Sequence, residues 1–248
     1  DLYELKTEDN FYIYEDRKFA MKSFEESIVV RGERKPVNIT VYETHHGVVL
    51  DYFSSYLYTR RILSAPKNNS RYALAWTGFV KNDTSASYWS RAIQAKSTKE
   101  IIAAYKNVLI PSLNLVFATI EGDIGYLALG AIPIKRKHME GYRIKNGWTN
   151  TYDWVGFLPS EYQPRLINPE KGYIITANNK LSSENIKYHV SLNMHSNPRA
   201  LRIEEMIKKY LKEGQKIGIE ETKIMQNDKV DLVARDIFPK IINLTKRN

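Results

Sequence analysis

The first eighty residues consist of short runs of β-forming residues separated by turn sequences, and this pattern constrains the fold of the chain most. Clusters of aromatic and β-branched residues bounded by polar or glycine-containing segments are typical of strands. Glu15-Asp16-Arg17 and Arg31-Gly32-Glu33 are two such turn segments. The pattern predicts strands at Phe11–Tyr14, Ser27–Val30, Val37–Tyr42, Gly47–Leu50 and Tyr72–Trp76.

The middle of the chain combines a helix with a β-hairpin. Ser97-Thr98-Lys99-Glu100 is a capping box, and apolar residues at helical spacing follow it until Pro111. Two apolar runs, residues 114–119 and 124–129, flank Glu121-Gly122-Asp123, which is typical of a hairpin. A further short strand is predicted at Tyr173–Thr176.

The last fifty residues have the pattern of helices. Asn197 is a suitable N-cap, Pro198 suits the first helical position, and Gly214 ends the pattern. Two shorter helices are predicted near residues 220–227 and 231–244. Because strands come first, helices come last and no βαβ rhythm is present, the predicted class is α+β. We predict one unit over residues 1–248, strand-rich over 1–80, mixed over 81–196 and helical over 197–248.

The composition excludes several classes of site. The chain contains no cysteine, which excludes disulfides, thiolate metal sites and a cysteine nucleophile. Its longest apolar stretch, residues 124–134, contains Pro133, so no membrane-spanning helix is predicted. The net charge of +9 is compatible with an anionic partner, but no nucleic-acid recognition motif accompanies the densest basic run, Lys135-Arg136-Lys137-His138. We therefore predict a solvated basic surface and no nucleic-acid partner.

Two residue pairs carry side chains that could serve in metal binding or in acid/base catalysis. His45-His46 offers two metal-binding imidazoles, but adjacent residues on a strand point to opposite faces. The pattern therefore favours one packed and one solvated histidine over a metal site. Glu161 and Glu170 have the side chains of a glycosidase acid/base pair, but the sequence does not fix their separation.

Asn178-Asn179 and Arg199 each allow two interpretations on local grounds. The asparagines follow the predicted strand at 173–176, where an Asx turn is typical. Alternatively, one carboxamide NH2 acts as an oxyanion donor, because a neutral amide stabilises negative charge without changing its protonation state. Arg199 is the second residue of the helix that Asn197 caps, where a cation opposes the helix dipole. Either a structural carboxylate or a functional anion would offset that charge.

A series of short segments, in order along almost the whole chain, matches one family pattern. The segments are Asp1-Leu2-Tyr3, Glu25-Glu26-Ser27-Ile28-Val29-Val30, Glu43-Thr44-His45-His46-Gly47, Leu74-Ala75-Trp76-Thr77, residues 114–118 and 122–126, residues 153–159, Asn168-Pro169, Gly172-Tyr173-Ile174 and Ala177-Asn178-Asn179. Each match is short, but their order and spacing are specific. Through them the chain resembles the penicillin acylase (penicillin amidase) family of N-terminal-nucleophile hydrolases, in the later part of the β-chain region.

The resemblance implies an αββα-sandwich enzyme that is made as a self-cleaving precursor. In the family, an exposed N-terminal serine attacks an amide carbonyl, its own α-amine acts as general base, and an acyl-enzyme forms. By position, Asn178 matches the oxyanion-binding asparagine, and Arg199 matches the arginine that supports the amine and the nucleophile. The expected substrates are penicillin-like or other N-acylated small molecules, with no organic cofactor. An extracytoplasmic location, periplasmic or secreted, is also expected.

The chain also departs from the family pattern. The family's serine nucleophile and backbone oxyanion donor lie upstream of the segment that Asp1 begins, and neither is in this chain. We therefore expect a fragment that needs the upstream part of the same precursor, the α-chain and the nucleophile segment, and that is inactive alone. A family-derived binding or structural protein without catalysis is the alternative. Asp1 matches a ligand of the family's structural calcium, but Tyr188 stands where a second aspartate is expected.

Overall fold

The computed structural model of the chain describes residues 1–50, 70–137, 141, 143–179 and 198–245. Within these ranges the strands are β1 Leu2–Glu8, β2 Phe11–Tyr14, β3 Arg17–Ala20, β4 Lys22–Ile28, β5 Val37–Thr44, β6 Gly47–Val49, β7 Ser70–Leu74, β8 Leu113–Ala118, β9 Ile124–Leu129, β10 Pro133–Lys135, β11 Lys145–Asn146, β12 Trp154–Phe157 and β13 Arg165–Ile167. The α-helices are α1 Ser85–Ala92, α2 Thr98–Tyr105, α3 Pro198–Lys212, α4 Ile219–Gln226 and α5 Leu232–Thr245. Short 3-10 turns lie at Thr77–Phe79, Asn150–Tyr152 and Ser160–Tyr162.

The strands form three sheets in the described ranges. The largest has the order β3-β2-β1-β7-β6-β5-β4, and β11 joins β1 in parallel. The other pairings of this sheet are antiparallel. One smaller sheet pairs β10 with β12, and the other has the order β13-β9-β8. With these sheets and the helices near its end, the chain has the predicted α+β class.

Strand β1 lies between β2 and β7 in the main sheet, and every second one of its side chains points into the core. Tyr3, Leu5 and Thr7 are buried, while the residues between them are less so. Tyr3 and Leu5 are at most 1% exposed, and they share a core with Val49 and Ala73. Burying one large apolar side chain contributes about 1.5–3 kcal/mol. Strand β1 is therefore firmly packed, and it supports the loops that surround it.

A second apolar cluster joins the β8–β9 hairpin to helix α2. Val108, Leu127 and Leu129 are buried there, and Ile101 of α2 packs against them. Ser97 caps α2 as predicted, because its side chain accepts a hydrogen bond from the backbone N–H of residue 100. This cluster holds the hairpin in place beside the helix.

Several predicted elements are confirmed and others differ at their ends. Strand β2, the β8–β9 hairpin and the helix that ends before Gly214 lie where the sequence predicts them. The helix predicted to run to Pro111 instead ends at Tyr105. After that residue, Val108 packs into the core and the N–H of Leu109 donates to Ser85 Oγ at 2.8 Å. Tertiary contacts therefore end the helix before the proline does.

The strand predicted at Tyr173–Thr176 is wrong. In the described ranges these residues pair with no other strand. A strand needs a neighbour for its backbone hydrogen bonds; here a side-chain contact ties the segment to α3, because the Tyr173 hydroxyl donates to Glu204 Oε1 at 2.7 Å. The strand predicted at 27–30 also stops early, since β4 ends at Ile28. Asn197, the predicted N-cap, lies outside the described residues.

The turn between β5 and β6 depends on Gly47. Its φ is +131°, and a Cβ atom there would lie 2.1 Å from the carbonyl oxygen of Leu74. Glycine alone combines this conformation with such a close approach. The turn consequently sits against β7, and it places His46 on the ring of Tyr3, with ring centroids 4.0 Å apart.

Over the ranges that the structure describes, no helix is both long and apolar enough to cross a bilayer.

Candidate active site

The structure brings Asn178 and Arg199 into direct contact. Arg199 Nη2 donates to Asn178 Oδ1 at 2.7 Å and to the carbonyl oxygen of Ala177 at 3.0 Å. The two predicted site residues are 21 positions apart in the sequence. The start of helix α3 therefore lies against the asparagine turn.

The backbone at Asn178 adopts a left-handed conformation. Its φ is +59°, which asparagine tolerates better than other residues with a side chain. Beside it, Asn179 Oδ1 accepts a hydrogen bond from the N–H of Ala177 at 2.8 Å. This bond goes to the residue two positions earlier, so it is not the predicted Asx turn, which bonds to the N–H two positions later. That contact is made by the second asparagine, and it leaves the carboxamide of Asn178 to Arg199.

The contact with Arg199 orients the Asn178 amide. A guanidinium has only donors, so it must face the carbonyl oxygen of the carboxamide rather than its NH2 group. The Nδ2 group consequently points away from Arg199, and it donates to no residue in the described ranges. Among the described residues, this N–H group of Asn178 is therefore left without an acceptor.

Arg199 has neutral partners within the described ranges. A carboxylate would be the usual structural partner for a cation at a helix N-terminus, yet the groups it contacts are a side-chain amide oxygen and a backbone carbonyl oxygen. In these ranges no carboxylate offsets the positive charge of its guanidinium, which lies on an exposed surface beside the Asn178 carboxamide.

Asp1 lies in a second polar cluster, away from these two residues in sequence. Its Oδ1 atom is 2.9 Å from Lys135 Nζ and 3.0 Å from Lys145 Nζ, and its Oδ2 accepts from Trp154 Nε1 at 2.6 Å. The Asp1 carboxylate is 4% exposed and the Lys145 side chain is fully buried. Burial lowers the pKa of Lys135. The sequence predicts that the basic run at residues 135–138 is solvated. This prediction is wrong for Lys135, because its ammonium group packs against the Asp1 carboxylate.

The residues around Asp1 do not fit a calcium ion. Calcium takes six to eight oxygen ligands, whereas the two oxygens of Asp1 already accept from two lysines and an indole N–H. The two ammonium groups would also repel a cation. Calcium binding at Asp1 stays a prediction from family resemblance that this geometry does not support.

The two histidines occupy the turn between β5 and β6 rather than a strand. Their rings lie side by side with centroids 3.8 Å apart, so the prediction that they point to opposite faces is wrong. The turn allows this because successive side chains alternate only in extended backbone. His46 is nonetheless buried and His45 exposed, as the sequence predicts.

Asp153 completes a cluster with the histidines. Its Oδ1 atom is 3.8 Å from His46 Nδ1, and its Oδ2 accepts from the Tyr14 hydroxyl at 2.5 Å. Burial, and then the neighbouring His45, lower the pKa of His46 to about 4. Burial and the hydrogen bond to Asp153 raise the pKa of Tyr14 to about 12. At neutral pH the His46 imidazole and the Tyr14 phenol are therefore both neutral.

Sequence reasoning missed the roles of Asp153, Lys145 and Tyr14. The segment from Asp153 entered the family match, but nothing local indicates that it faces a turn more than one hundred residues earlier. Glu161 and Glu170 are both exposed, and no contact joins them in the part of the chain that the structure describes. The acid/base reading of that pair has no support.

The sequence matches a family model along its full length and known proteins along most of its length. Residues 1–248 match the family model for penicillin amidase. The chain is 28% identical over 180 residues to the penicillin acylase 2 proenzyme of Pseudomonas sp. (strain SE83), covering 73% of this chain and 21% of that protein. It is 32% identical to the penicillin G acylase of Escherichia coli, over 68% of this chain and 18% of that protein. It is 27% identical to the acyl-homoserine lactone acylase QuiP of Pseudomonas syringae pv. syringae (strain B728a), covering 94% and 26%.

The structure matches a known fold as well. It is similar to a thermostable penicillin G acylase from Alcaligenes faecalis, with a TM-score of 0.69 and 20% identity, over 84% of this chain and 36% of that one. This likeness shows the N-terminal-nucleophile hydrolase fold that the sequence resemblance implies. The chain spans about a fifth to a quarter of the length of the curated relatives described above. Because the family model covers every residue, the chain belongs to the penicillin amidase family.

Proposed function

We propose that this chain supplies the oxyanion-binding side of an amidohydrolase that cleaves the amide bond of N-acylated small molecules. The names of the relatives support the substrate class, since they are acylases of penicillins and of acyl-homoserine lactones. The observation that carries the proposal is the hydrogen bond from Arg199 to Asn178 Oδ1, which leaves the Asn178 NH2 group to donate outward.

The reaction assigns each group one task. A serine at a processed amino terminus, outside this chain, attacks the amide carbonyl carbon while its α-amine takes the hydroxyl proton. The carbonyl oxygen gains negative charge in the tetrahedral intermediate, and Asn178 Nδ2 donates a hydrogen bond to it. The leaving amine receives the proton, an acyl-enzyme remains, and water hydrolyses it.

Arg199 acts on this reaction in two ways. It fixes the carboxamide of Asn178 through the 2.7 Å hydrogen bond. Its positive charge, which no carboxylate in the described ranges offsets, also favours the neutral form of a nearby α-amine and the negative oxyanion. Both effects favour the first step of acyl transfer.

The active site that we propose also needs residues from outside this chain. The nucleophile and the acyl-binding segment come from an upstream part of the same precursor, so the 248 residues alone have no amidase activity. We place the protein outside the cytoplasm, in the periplasm or secreted, by analogy with the family.

The test uses the full-length protein and chromogenic N-acyl anilides that carry penicillin-like aromatic or long aliphatic acyl groups. We expect amide hydrolysis, a processed amino-terminal serine in mass spectra, and an acyl-enzyme adduct on that serine. A folded, full-length protein with no Ser, Cys or Thr at a processed amino terminus, and with no adduct, would favour the alternative of a binding protein that has lost catalysis.

A further inference from the structure

The cleft beside the β5–β6 turn carries three metal-binding side chains that the proposed amidase reaction does not use. One ring nitrogen of His45, one of His46 and one carboxylate oxygen of Asp153 lie within 4.8 Å of one another. The cleft has a volume of about 240 Å³, and Trp76 and Phe157 also line it. A small ligand therefore has access to all three side chains.

Two acceptor atoms face each other in this cluster. His46 Nε2 is 3.0 Å from the carbonyl oxygen of Gly147, which can only accept, so the proton of the neutral ring lies on Nε2. The lone pair of Nδ1 then faces Asp153 Oδ1, 3.8 Å away. That oxygen is buried and has no hydrogen-bond partner in the described ranges. A positive charge between the two atoms would stabilise both.

In each of the three side chains, a neighbouring residue contacts one polar atom. The Tyr14 hydroxyl donates to Asp153 Oδ2 at 2.5 Å, and the Tyr12 hydroxyl contacts His45 Nδ1 at 3.0 Å. The carbonyl oxygen of Gly147 accepts a hydrogen bond from His46 Nε2. Contacts of this kind fix the orientation and tautomer of metal ligands. The side chain of His46 is also 97% buried, since only 3% of it is exposed, and it stacks on Tyr3.

We propose that His45, His46 and Asp153 bind one divalent transition-metal ion, for which zinc is the best match. Two imidazoles and one carboxylate favour zinc and its neighbours in the first transition row over calcium, which prefers oxygen ligands alone. In a tetrahedral site with bonds of about 2.0–2.2 Å, two ligand atoms lie about 3.3–3.6 Å apart. A shift of the exposed His45 side chain by about 1 Å supplies the closure that this geometry requires. Three protein ligands leave a fourth position open to the cleft for water or a small anion.

Metal titration of the untagged full-length protein tests this proposal, which does not depend on the amidase activity. Chelator-treated protein is titrated with Zn²⁺ by calorimetry and with Co²⁺ by visible absorption. We expect one ion per chain, a Tm that rises with Zn²⁺, and a Co²⁺ spectrum of a four- or five-coordinate site. His45→Gln and Asp153→Asn should each weaken Zn²⁺ binding at least tenfold. Glu43→Gln, a change of another carboxylate that lines the same cleft, should bind as the wild type does.

Two results would overturn the proposal. The first is folded wild-type protein without saturable Zn²⁺ binding, and the second is equal Zn²⁺ affinity in the wild type and His45→Gln. Because His45 is exposed, its variant is expected to fold, as circular dichroism would verify, and it decides the question even if Asp153→Asn does not fold. Excess Ca²⁺ should leave Zn²⁺ binding unchanged, and displacement by Ca²⁺ would contradict the nitrogen-rich ligand set.

Discussion

Replacing Asn178 with aspartate separates the two tasks of its carboxamide. Oδ1 accepts a hydrogen bond from Arg199 Nη2 at 2.7 Å, and Nδ2 is left as a donor. Aspartate has nearly the same shape and keeps an acceptor for the guanidinium, but it has no N–H to donate. Asn178→Asp therefore keeps the structural contact and removes the proposed catalytic one.

The size of each effect follows from these contacts. Loss of one oxyanion donor lowers kcat about 10²–10³-fold, which is about 2.7–4 kcal/mol of transition-state stabilisation. The new carboxylate also repels the oxyanion, so the loss should be at least as large as for Asn178→Gly. Glycine suits a φ of +59° without strain, and it serves as the matched variant that removes the whole side chain. The exposed ion pair formed with Arg199 should change the free energy of unfolding by no more than about 1 kcal/mol.

The assay measures kcat for a chromogenic N-acyl anilide with full-length protein, normalised by titration of processed amino-terminal serine. Thermal unfolding of the same samples reports stability. We expect the aspartate variant to have a wild-type Tm and at least a hundredfold lower kcat. A kcat within threefold of wild type, in folded and processed protein, would refute the assignment of Asn178 as an oxyanion donor. A rate that falls only in proportion to the folded fraction would show a structural role instead.

Three further predictions concern stability. Gly47→Ala should lower the free energy of unfolding by at least about 1–3 kcal/mol, measured by urea titration, because φ is +131° and the new Cβ would meet the backbone of β7. Asp1→Asn should cost about 3–5 kcal/mol in the same assay, because it leaves the ammonium of Lys145 buried beside a neutral amide, and a change below 1 kcal/mol would contradict this. The hydrogen bonds from Arg202 hold the pKa of Asp228 below its usual value, so the stability that this pair contributes is present above about pH 3.9 and is lost as pH falls through the lower folded-state pKa. An NMR titration of the Asp228 carboxyl carbon with a midpoint at or above 3.9 would contradict that direction.

The elements that the sequence predicted well are those that local chemistry determines. The β8–β9 hairpin follows from two apolar runs around a glycine turn, and Ser97 caps α2 with its own side chain. Gly214 follows α3 with a φ of +66°, as a glycine past a helix end should. Prediction failed where distant residues decide the outcome. The run at 173–176 has the composition of a strand, yet no described strand pairs with it.

The two candidate sites also differ in how far the sequence could predict them. Asn178 and Arg199 were predictable only through the ordered family segments, since each residue alone suits an ordinary turn or an ion pair. Their contact joins residues 21 positions apart, because the Arg199 side chain reaches from the start of α3 to the turn at Asn178. The amide orientation follows from the donor-only chemistry of guanidinium and needs no further information.

The histidine cluster could not have been predicted, because every contact that gives it chemical meaning is long-range. The proton position on His46 depends on the carbonyl of Gly147, 101 residues later, and the carboxylate that faces it belongs to Asp153. Gly47 determines the turn that places both rings together, through a contact with the backbone of β7. In extended backbone, His45 and His46 would point to opposite faces of a strand. The turn at Gly47, with its φ of +131°, instead places the two rings side by side, with the carboxylate of Asp153 close to His46.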